Sequence, residues 1–360
     1  MKCEIELRRN QNRIFAAGEA FSGAVILKFS DASLINEVSC QILGYAKCSW
    51  SVESSLHSLS GRVEHLNTKL LLFNKPRNGQ IFPKGKFSFN FFYQLPPTLP
   101  SSFNSSEGYV KYKMIVLVKR FGKSHMEFEY PFFVKQIVDL NAIEDMTRPL
   151  LRVISKDFAI DFTSKFLYMT AMIPQQGYVP NQIMDIRIQV DNRTIIYVKY
   201  VKVTLKKIVT FISQNPNINQ HTVETTEASA YCGDVEAHMK KLFIKYLKIP
   251  QVPPNIDNCE IIKLSYEVQV KAKTAGATRS PILRLPIRIG TIQLFRDDRR
   301  DYELELMEPR RLEFAPMSYE ECMSGSSCPV TPNSDDLMDF SLPSYDEAIK
   351  SNETYIENQT

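Results

Sequence analysis

Residues 87–103 read FSFNFFYQLPPTLPSSF, and this stretch decides the fold class. Apolar and polar side chains alternate from Phe87 to Phe91, as they do along a strand that is buried on one face. Pro96 and Pro97 follow closely and mark a turn. The stretch therefore predicts a half-buried β-strand that ends at a sharp connection.

The same signals recur on both sides of this stretch. Further β-rich or alternating runs occupy residues 111–118, 201–206, 264–270 and 285–289. Many short strands at about ten-residue spacing are typical of antiparallel sandwiches, so the sequence predicts an all-β protein. Its 360 residues suffice for two sandwiches of about 150 residues each and a tail.

The composition excludes several classes of protein. Apolar residues make up 44% of the chain and include 22 Phe and 16 Tyr, so sizeable cores can form. No run of about 18 apolar residues occurs, which predicts no membrane-spanning helix, and the charged N-terminus does not resemble a secretory signal. Seven scattered cysteines fit no zinc spacing and are expected to be reduced and packed as small hydrophobes, so no metal or cofactor is predicted.

One stretch disagrees with the all-β interpretation. Its apolar residues fall at helical spacing, with lysines among them: Met239, Leu242, Phe243, Tyr246 and Leu247, then Lys240, Lys241, Lys245 and Lys248. Periodicity alone predicts a basic amphipathic helix that could lie on a membrane surface. The prolines at positions 250, 253 and 254 argue against a helix, and the question stays open at this point.

Charge is distributed unevenly along the chain. Residues 301–360 carry 14 Asp or Glu against three Lys or Arg, a net charge of −11. The first 300 residues carry 41 Lys or Arg against 26 Asp or Glu, a net charge of +15. A basic body with an acidic tail favours an anionic partner for the body, although scattered lysines on strand faces also keep a protein soluble.

No catalytic motif appears. None of the five histidines stands in a metal-binding or nucleophile-activating spacing. Residues 79–86 (GQIFPKGK) resemble a phosphate loop only faintly, because five residues separate the glycines and Phe87 occupies the Ser/Thr position. The basic body also lacks any RNA- or DNA-binding signature. The sequence therefore predicts neither an enzyme nor a nucleic-acid-binding protein.

The acidic tail carries two tyrosine motifs. Leu342-Pro343-Ser344-Tyr345 contains a Pro-x-Tyr unit, and Pro316-Met317-Ser318-Tyr319 has the same layout with Met317 in place of the second proline. A proline in an extended polyproline II segment packs between the aromatic side chains of a WW domain, and the tyrosine fills a second pocket. We therefore predict WW-domain binding by Leu342, Pro343 and Tyr345, and by Pro316 and Tyr319.

The body resembles the arrestin-domain-containing proteins, or α-arrestins, over about residues 5–295. Residues 18–27 (GEAFSGAVIL), the opening stretch 87–103 and residues 108–112 (GYVKY) resemble the arrestin N-domain. The motifs similar to the arrestin C-domain follow in order at residues 177–180 (GYVP), 190–193 (VDNR), 249–250, 253–254, 259–262 (CEII), 266–268 and 285–291 (LPIRIGT). The tyrosine motifs of the tail are similar to the Pro-Pro-x-Tyr motifs of α-arrestins.

The resemblance implies two tandem antiparallel immunoglobulin-like β-sandwiches, that is, the arrestin fold with a disordered C-terminal tail. The N-type sandwich would span residues 1–143, the C-type sandwich residues 144–307 and the acidic tail residues 308–360. It also implies a strand, not a helix, near residues 239–247.

The function implied is that of a non-catalytic cytoplasmic adaptor at the plasma membrane and endosomes. Such an adaptor binds the cytoplasmic parts of receptors or transporters, aided by anionic lipid. Its tail recruits the WW domains of HECT-type ubiquitin ligases, which promotes ubiquitination, endocytosis and sorting of the cargo. Four lysines are potential cargo contacts, although a solubilising strand face is the commoner role: Lys199, Lys202, Lys206 and Lys207.

Three alternatives stay open. Each tail motif lacks one proline of Pro-Pro-x-Tyr, which favours an arrestin-fold trafficking scaffold that acts without a ligase. A second alternative is direct desensitisation of phosphorylated receptors. A third is that the acidic tail masks the basic body, in which case tail deletion increases binding to anionic liposomes at low salt.

Overall fold

The computed structural model describes residues 1–8, 12–51, 58–76, 78–160, 163–276 and 280–295. Strands dominate, and a single turn of 3₁₀ helix, Leu140–Ala142, follows the tenth strand. Met1–Phe295 form one compact unit. The predicted all-β arrestin fold is confirmed for this unit, while the domain boundaries at residues 143 and 307 stay predictions. The tail at residues 308–360 lies outside the described residues.

The first sandwich consists of a small sheet in the order β1-β3-β7 and a larger one in the order β2-β10-β9-β4-β5. Two short strands, β6 and β8, pair with β4 and β9, and the pairing is antiparallel except between β2 and β10. The strands are β1 (Lys2–Leu7), β2 (Ile14–Ala16), β3 (Ala20–Phe29), β4 (Ser33–Ser51), β5 (Ser58–Asn74), β6 (Gln80–Phe82), β7 (Gly85–Gln94), β8 (Phe103–Asn104), β9 (Gly108–Arg120) and β10 (Met126–Lys135).

The second sandwich repeats this plan with sheets in the orders β11-β12-β14-β17 and β13-β19-β18-β15-β16. Only the short pair β13 and β19 is parallel in this part of the described chain. The strands are β11 (Leu150–Ile160), β12 (Thr163–Ile173), β13 (Gly177–Tyr178), β14 (Ile183–Asn192), β15 (Val198–Ile212), β16 (Gln220–Tyr231), β17 (Lys240–Lys248), β18 (Ile262–Thr274) and β19 (Ile282–Ile289).

The stretch with helical spacing forms strand β17, so the helix predicted from its periodicity is wrong and the strand implied by the resemblance is confirmed. Burial alternates along β17: Leu242, Ile244 and Tyr246 are exposed while Leu247 is buried. Pairing with nine residues of β14 supplies the backbone hydrogen bonds that a helix would have made internally. Apolar residues on both faces of this strand produce a spacing that resembles that of a helix. Pairing with β14 makes the segment a strand in spite of that spacing.

Aromatic packing joins the two sheets of the first sandwich. Phe21 of β3 stacks on Phe132 of β10 at a centroid distance of 5.0 Å, and Phe15 meets Phe21 edge-on at 4.7 Å. Phe91, the last residue of the alternating stretch, lies 5.4 Å from Phe21. The FSFNF pattern therefore places its inward-facing rings in one core.

Each sandwich ties a proline-rich connection to its core through a buried tyrosine. The Tyr112 hydroxyl donates to the Pro100 carbonyl at 2.7 Å, and the Tyr266 hydroxyl donates to the Pro253 carbonyl at the same distance. Both tyrosines are buried, so an unpaired hydroxyl would be costly there. The proline turns seen in the sequence are thus fixed to the strands that follow them.

Candidate functional site

The tail residues predicted to bind WW domains lie outside the described residues. They are Leu342, Pro343 and Tyr345 of the later motif and Pro316 and Tyr319 of the earlier one. Their assignment stays a prediction, and the candidate site that the structure describes is the surface of the two sandwiches.

The thiols of the described residues are poorly suited to nucleophilic or metal chemistry. Burial raises the pKa of the Cys40 thiol to about 12, and burial also raises the pKa of Cys3, Cys48, Cys232 and Cys259. A protonated thiol is a poor nucleophile and a poor ligand. Within the described ranges, no three His, Cys, Asp or Glu side chains are grouped so as to hold a metal ion.

An aromatic and cationic group lies on the outer face of the larger sheet of the first sandwich. The Arg62 guanidinium carbon lies 4.9 Å from the centre of the Tyr45 ring, and Lys111 Nζ lies 4.2 Å from the centre of the Tyr109 ring. The two tyrosine rings meet edge-on at 6.0 Å. We call these four residues the N-face cluster; it offers two cations and two aromatic rings to a bound peptide.

A similar group lies on the second sandwich. Lys202 Nζ lies 4.8 Å from the centre of the Tyr231 ring, and Tyr200 meets Tyr231 edge-on at 5.4 Å. Lys271 is the cross-strand neighbour of Lys202. Like charges placed opposite each other destabilise a sheet, so a bound anion would be favourable here. We call these four residues the C-face cluster.

The four lysines named from the sequence fall into different environments. Lys207 is half-buried and pairs with Glu227 at 2.9 Å, which makes it part of a structural ion pair. Lys202 belongs to the C-face cluster, Lys206 is half-buried, and Lys199 is exposed. Sequence reasoning missed the tyrosines of both clusters because they sit on separate strands. The one sequence feature that could have identified these tyrosines is their position on the polar face of strands in which apolar and polar residues alternate.

Contacts across the junction between the sandwiches hold both clusters in one unit. The Trp50 ring stacks on the His221 ring at 5.6 Å, and the Ser60 N–H donates to the Asn215 carbonyl at 2.9 Å. Gly61 follows Ser60 directly, and a Cβ at Gly61 would stand 2.8 Å from the carbonyl oxygen of Ile212. The absence of a side chain at Gly61 therefore permits the close approach of β5 to the second sandwich.

The connecting segment is fastened by residues from the end of the described chain. The Val138 N–H donates to Thr291 Oγ1 at 2.8 Å, and the Thr291 N–H donates to the Val138 carbonyl at 2.9 Å. Asp139 and Ile292 form a parallel bridge beside them. We call this set of contacts the linker clasp.

The His65 side chain on β5 is half-buried, and its Nε2 atom is buried without a hydrogen-bond partner among the described residues. Burial lowers the pKa of His65, and the charge of Glu260 partly opposes that shift. The unfolded chain therefore binds a proton at His65 more readily than the folded chain does. This contribution to stability is present in full above the ordinary histidine pKa of about 6.5 and is lost as the pH falls below it.

We expect the urea midpoint of the wild-type protein to fall between pH 7.5 and pH 5.5, and His65→Gln to reduce that fall. Urea titrations at the two pH values measure the effect. His125→Gln is the matched control, because it also removes an imidazole but its side chain is exposed and meets Glu127 only at 3.8 Å in solvent. It should change the fall much less than His65→Gln does. An equal fall in the wild type and in His65→Gln would contradict the assignment.

The described residues include no helical segment with the length and hydropathy that a bilayer crossing requires.

Two profile matches cover most of the described chain. Residues 3–141 match the profile of the N-terminal domain of arrestin (or S-antigen), and residues 163–294 match that of its C-terminal domain. The first match contains the N-face cluster and the second contains the C-face cluster.

The similar curated proteins are named as arrestin domain-containing proteins. The chain is 24% identical to rat arrestin domain-containing protein 1 over 292 residues, which are 80% of this chain and 64% of the rat protein. It is 25% identical over 298 residues to human arrestin domain-containing protein 4, covering 77% and 68% of the two chains. It is 24% identical over 297 residues to Caenorhabditis elegans arrestin domain-containing protein 17, with the same coverage. The chain thus spans a little under two thirds of the rat relative's length.

Proposed function

Since this chain belongs to the arrestin family, as a protein containing both arrestin domains, we propose that it is a non-catalytic trafficking adaptor. The sandwiches bind the cytoplasmic part of a membrane-protein cargo. The tail binds the WW domains of a HECT-type ubiquitin ligase, so that the cargo is ubiquitinated, internalised and sorted. The adaptor acts in the cytoplasm, at the inner face of the plasma membrane and at endosomes.

One observation carries the proposal: a chain with both arrestin domains also has the unit Leu342-Pro343-Ser344-Tyr345 in its acidic tail. An adaptor needs a surface for cargo and a separate, extended segment for its second partner. Proline restricts such a segment to conformations close to polyproline II, which lowers the entropy lost on binding. A ligase held in this way has a raised local concentration near the lysines of the cargo.

The two face clusters support the cargo-binding half of the proposal. The N-face and C-face clusters each present cations beside tyrosine rings, and the body carries an excess of positive charge. Acidic or phosphorylated segments of a cargo, and anionic lipid near the membrane, match this surface in charge. Binding through these clusters should therefore weaken with salt.

We expect the full-length protein to bind isolated WW domains of HECT-type ligases, and Tyr345→Ala to weaken that binding about tenfold or more. The tyrosine side chain fills one of the two pockets that the motif uses, so its removal should affect affinity strongly. A pull-down followed by a titration with labelled WW domain measures the change.

Tyr355→Ala is the matched control, because Tyr355 lies in the same tail without a proline two residues before it. Leu342→Pro completes the Pro-Pro-x-Tyr motif and should raise the affinity. Tyr319→Ala should have a smaller effect than Tyr345→Ala unless two linked WW domains engage both motifs at once. Failure of the wild-type protein to bind any of these WW domains would refute recruitment of a ligase through the tail.

A trafficking scaffold that works without a ligase is the second candidate. It is favoured by one observation: Leu342 and Met317 replace prolines of the two motifs. Loss of one ring from a proline-shaped groove costs about 1–2 kcal/mol, roughly a tenfold loss in affinity. A wild-type tail that binds no WW domain, together with cargo binding by the sandwiches, would support the scaffold.

A further inference from the structure

Strand β17 forms one edge of its sheet. In the order β11-β12-β14-β17 it is hydrogen-bonded to β14 on one side, and no strand of the described residues is hydrogen-bonded to its other side. Its nine residues extend over roughly 30 Å at about 3.3 Å per residue. An edge of this length presents unpaired backbone groups that another extended segment could use.

The outer face of β17 carries an apolar row. Leu242, Ile244 and Tyr246 are 53%, 49% and 69% exposed, and Lys240 and Lys248 stand at the two ends of the row. Large apolar side chains that are this exposed and adjacent on a strand are unusual on a free surface.

Strand β14 does not cover this row. The cross-strand neighbours of Leu242, Ile244 and Tyr246 are Gln189, Arg187 and Asp185, all of them polar. The apolar side chains therefore have polar neighbours on one side and the open edge on the other. A strand added at the open edge would provide the apolar cross-strand partners that β14 does not provide.

The opposite face of β17 carries cations at half-buried positions. Lys241 and Lys245 alternate with Phe243 and the buried Leu247. Lys241 pairs with Asp234 at 3.3 Å, but Lys245 has no carboxylate partner in the parts of the chain that the structure describes. An incoming acidic side chain would give Lys245 the carboxylate neighbour that it lacks, and opposite charges on adjacent strands stabilise strand pairing.

Lysines on an edge strand also have a protective role, because they discourage pairing with other strands. That role explains Lys240 and Lys248 at the ends of the row. It does not explain the row of Leu242, Ile244 and Tyr246, because exposed apolar side chains on an edge strand favour pairing with another strand. The pattern is apolar on one face and cationic on the other, and it matches a strand with apolar residues on one face and acidic residues on the other.

We propose that the free edge of β17 binds an extended peptide segment of a partner protein, in which apolar and acidic residues alternate. The segment adds a fifth strand to the sheet. Its apolar side chains lie beside Leu242, Ile244 and Tyr246, and its acidic side chains lie beside Lys245 and Lys241. Main-chain hydrogen bonds supply affinity, and the two alternating faces supply specificity.

This site is independent of the proposed recruitment of a ligase. It uses no residue of the tail and neither of the two face clusters. The experiment below contains no ligase and no WW domain, so its outcome and that of the WW-domain titration are separate.

The test uses the full-length protein and a fluorescein-labelled peptide of about eight residues in which valine alternates with glutamate, a length that matches the strand. Fluorescence anisotropy at low salt measures binding. We expect saturable binding by the wild type and at least about a tenfold weaker affinity for Ile244→Glu. Val153→Glu is the matched control: Val153 is a β-branched residue, 63% exposed, on the opposite edge strand β11, and its substitution should change the affinity less than twofold.

Two further peptides test the mode of binding. A peptide with lysine in place of glutamate should not bind, because it brings like charge to Lys245 and Lys241. A peptide with methyl groups on alternate backbone nitrogens keeps its side chains but cannot pair with a strand edge, and it should bind at least about tenfold more weakly. Urea midpoints close to that of the wild type would show that Ile244→Glu and Val153→Glu are folded.

Several results would overturn the proposal. These are no saturable binding of the acidic peptide by the wild type, equal binding by Ile244→Glu, and equal binding of the backbone-methylated peptide. Binding to vesicles of phosphatidylcholine with phosphatidylserine provides one further test. If Ile244→Glu reduces vesicle binding and leaves peptide binding unchanged, the row is a lipid contact and the strand-addition site is refuted.

Discussion

Replacement of Phe21 by alanine is expected to lower the free energy of unfolding by about 3–5 kcal/mol. Phe21 is buried and lies at the centre of an aromatic group, with Phe15, Phe132 and Phe91 at 4.7, 5.0 and 5.4 Å. Phe21 and Phe132 belong to opposite sheets, so the substitution removes a contact that joins the two layers. It also leaves a cavity that three rigid rings cannot easily fill.

Equilibrium unfolding in urea measures this effect. Phe92→Ala is the matched control, because Phe92 is also a phenylalanine of the first sandwich but is 66% exposed. It should change the stability by less than about 0.5 kcal/mol. Comparable losses for the two variants would mean that the ring group around Phe21 does not form the core of this sandwich.

A second large effect is expected from Gly61→Val at the junction of the sandwiches. A Cβ at position 61 would lie 2.8 Å from the Ile212 carbonyl oxygen and 3.1 Å from Cys48 Sγ. The nearest of these is a backbone atom and cannot rotate away, so β5 and the second sandwich must separate. We expect a loss of about 1–3 kcal/mol, the range for overpacking a close contact.

Trp50 reports directly on this separation because it is the only tryptophan of the chain and stacks on His221 across the junction. Its emission should shift to longer wavelength in Gly61→Val under native conditions. Gly233→Ala is the control: a Cβ there lies 3.5 Å from its nearest neighbour, Phe243, which is ordinary contact. An unchanged Trp50 spectrum in Gly61→Val would show that the junction accommodates the side chain.

The strands could be predicted because their burial is one-sided. Alternation from Phe87 to Phe91 places three rings on one face, and β7 has its buried or half-buried residues at those positions. β17 could not be assigned from its own periodicity, since its apolar residues lie on both faces of an edge strand. The spacing of apolar residues predicts secondary structure only where those residues are buried. It misleads at β17, where several apolar residues are exposed.

The surface sites depend on register, which a single sequence does not determine. Tyr45, Arg62 and Lys111 are far apart in sequence and meet only because β9, β4 and β5 pair in one particular alignment. Similarly, the sequence does not show that Lys207 pairs with Glu227 while Lys202 lies over Tyr231. The tail motifs were easier to find because a WW domain binds a contiguous segment.

The linker clasp has a consequence for the order of events during protein synthesis. Every described strand of the first sandwich is complete once Lys135 has left the ribosome. Val138, in contrast, cannot form its hydrogen bonds until Thr291 has been synthesised, 153 residues later. N-terminal domains generally fold first on the nascent chain. The first sandwich can therefore fold on its own, while the joint between the two sandwiches closes only after Thr291 has been synthesised.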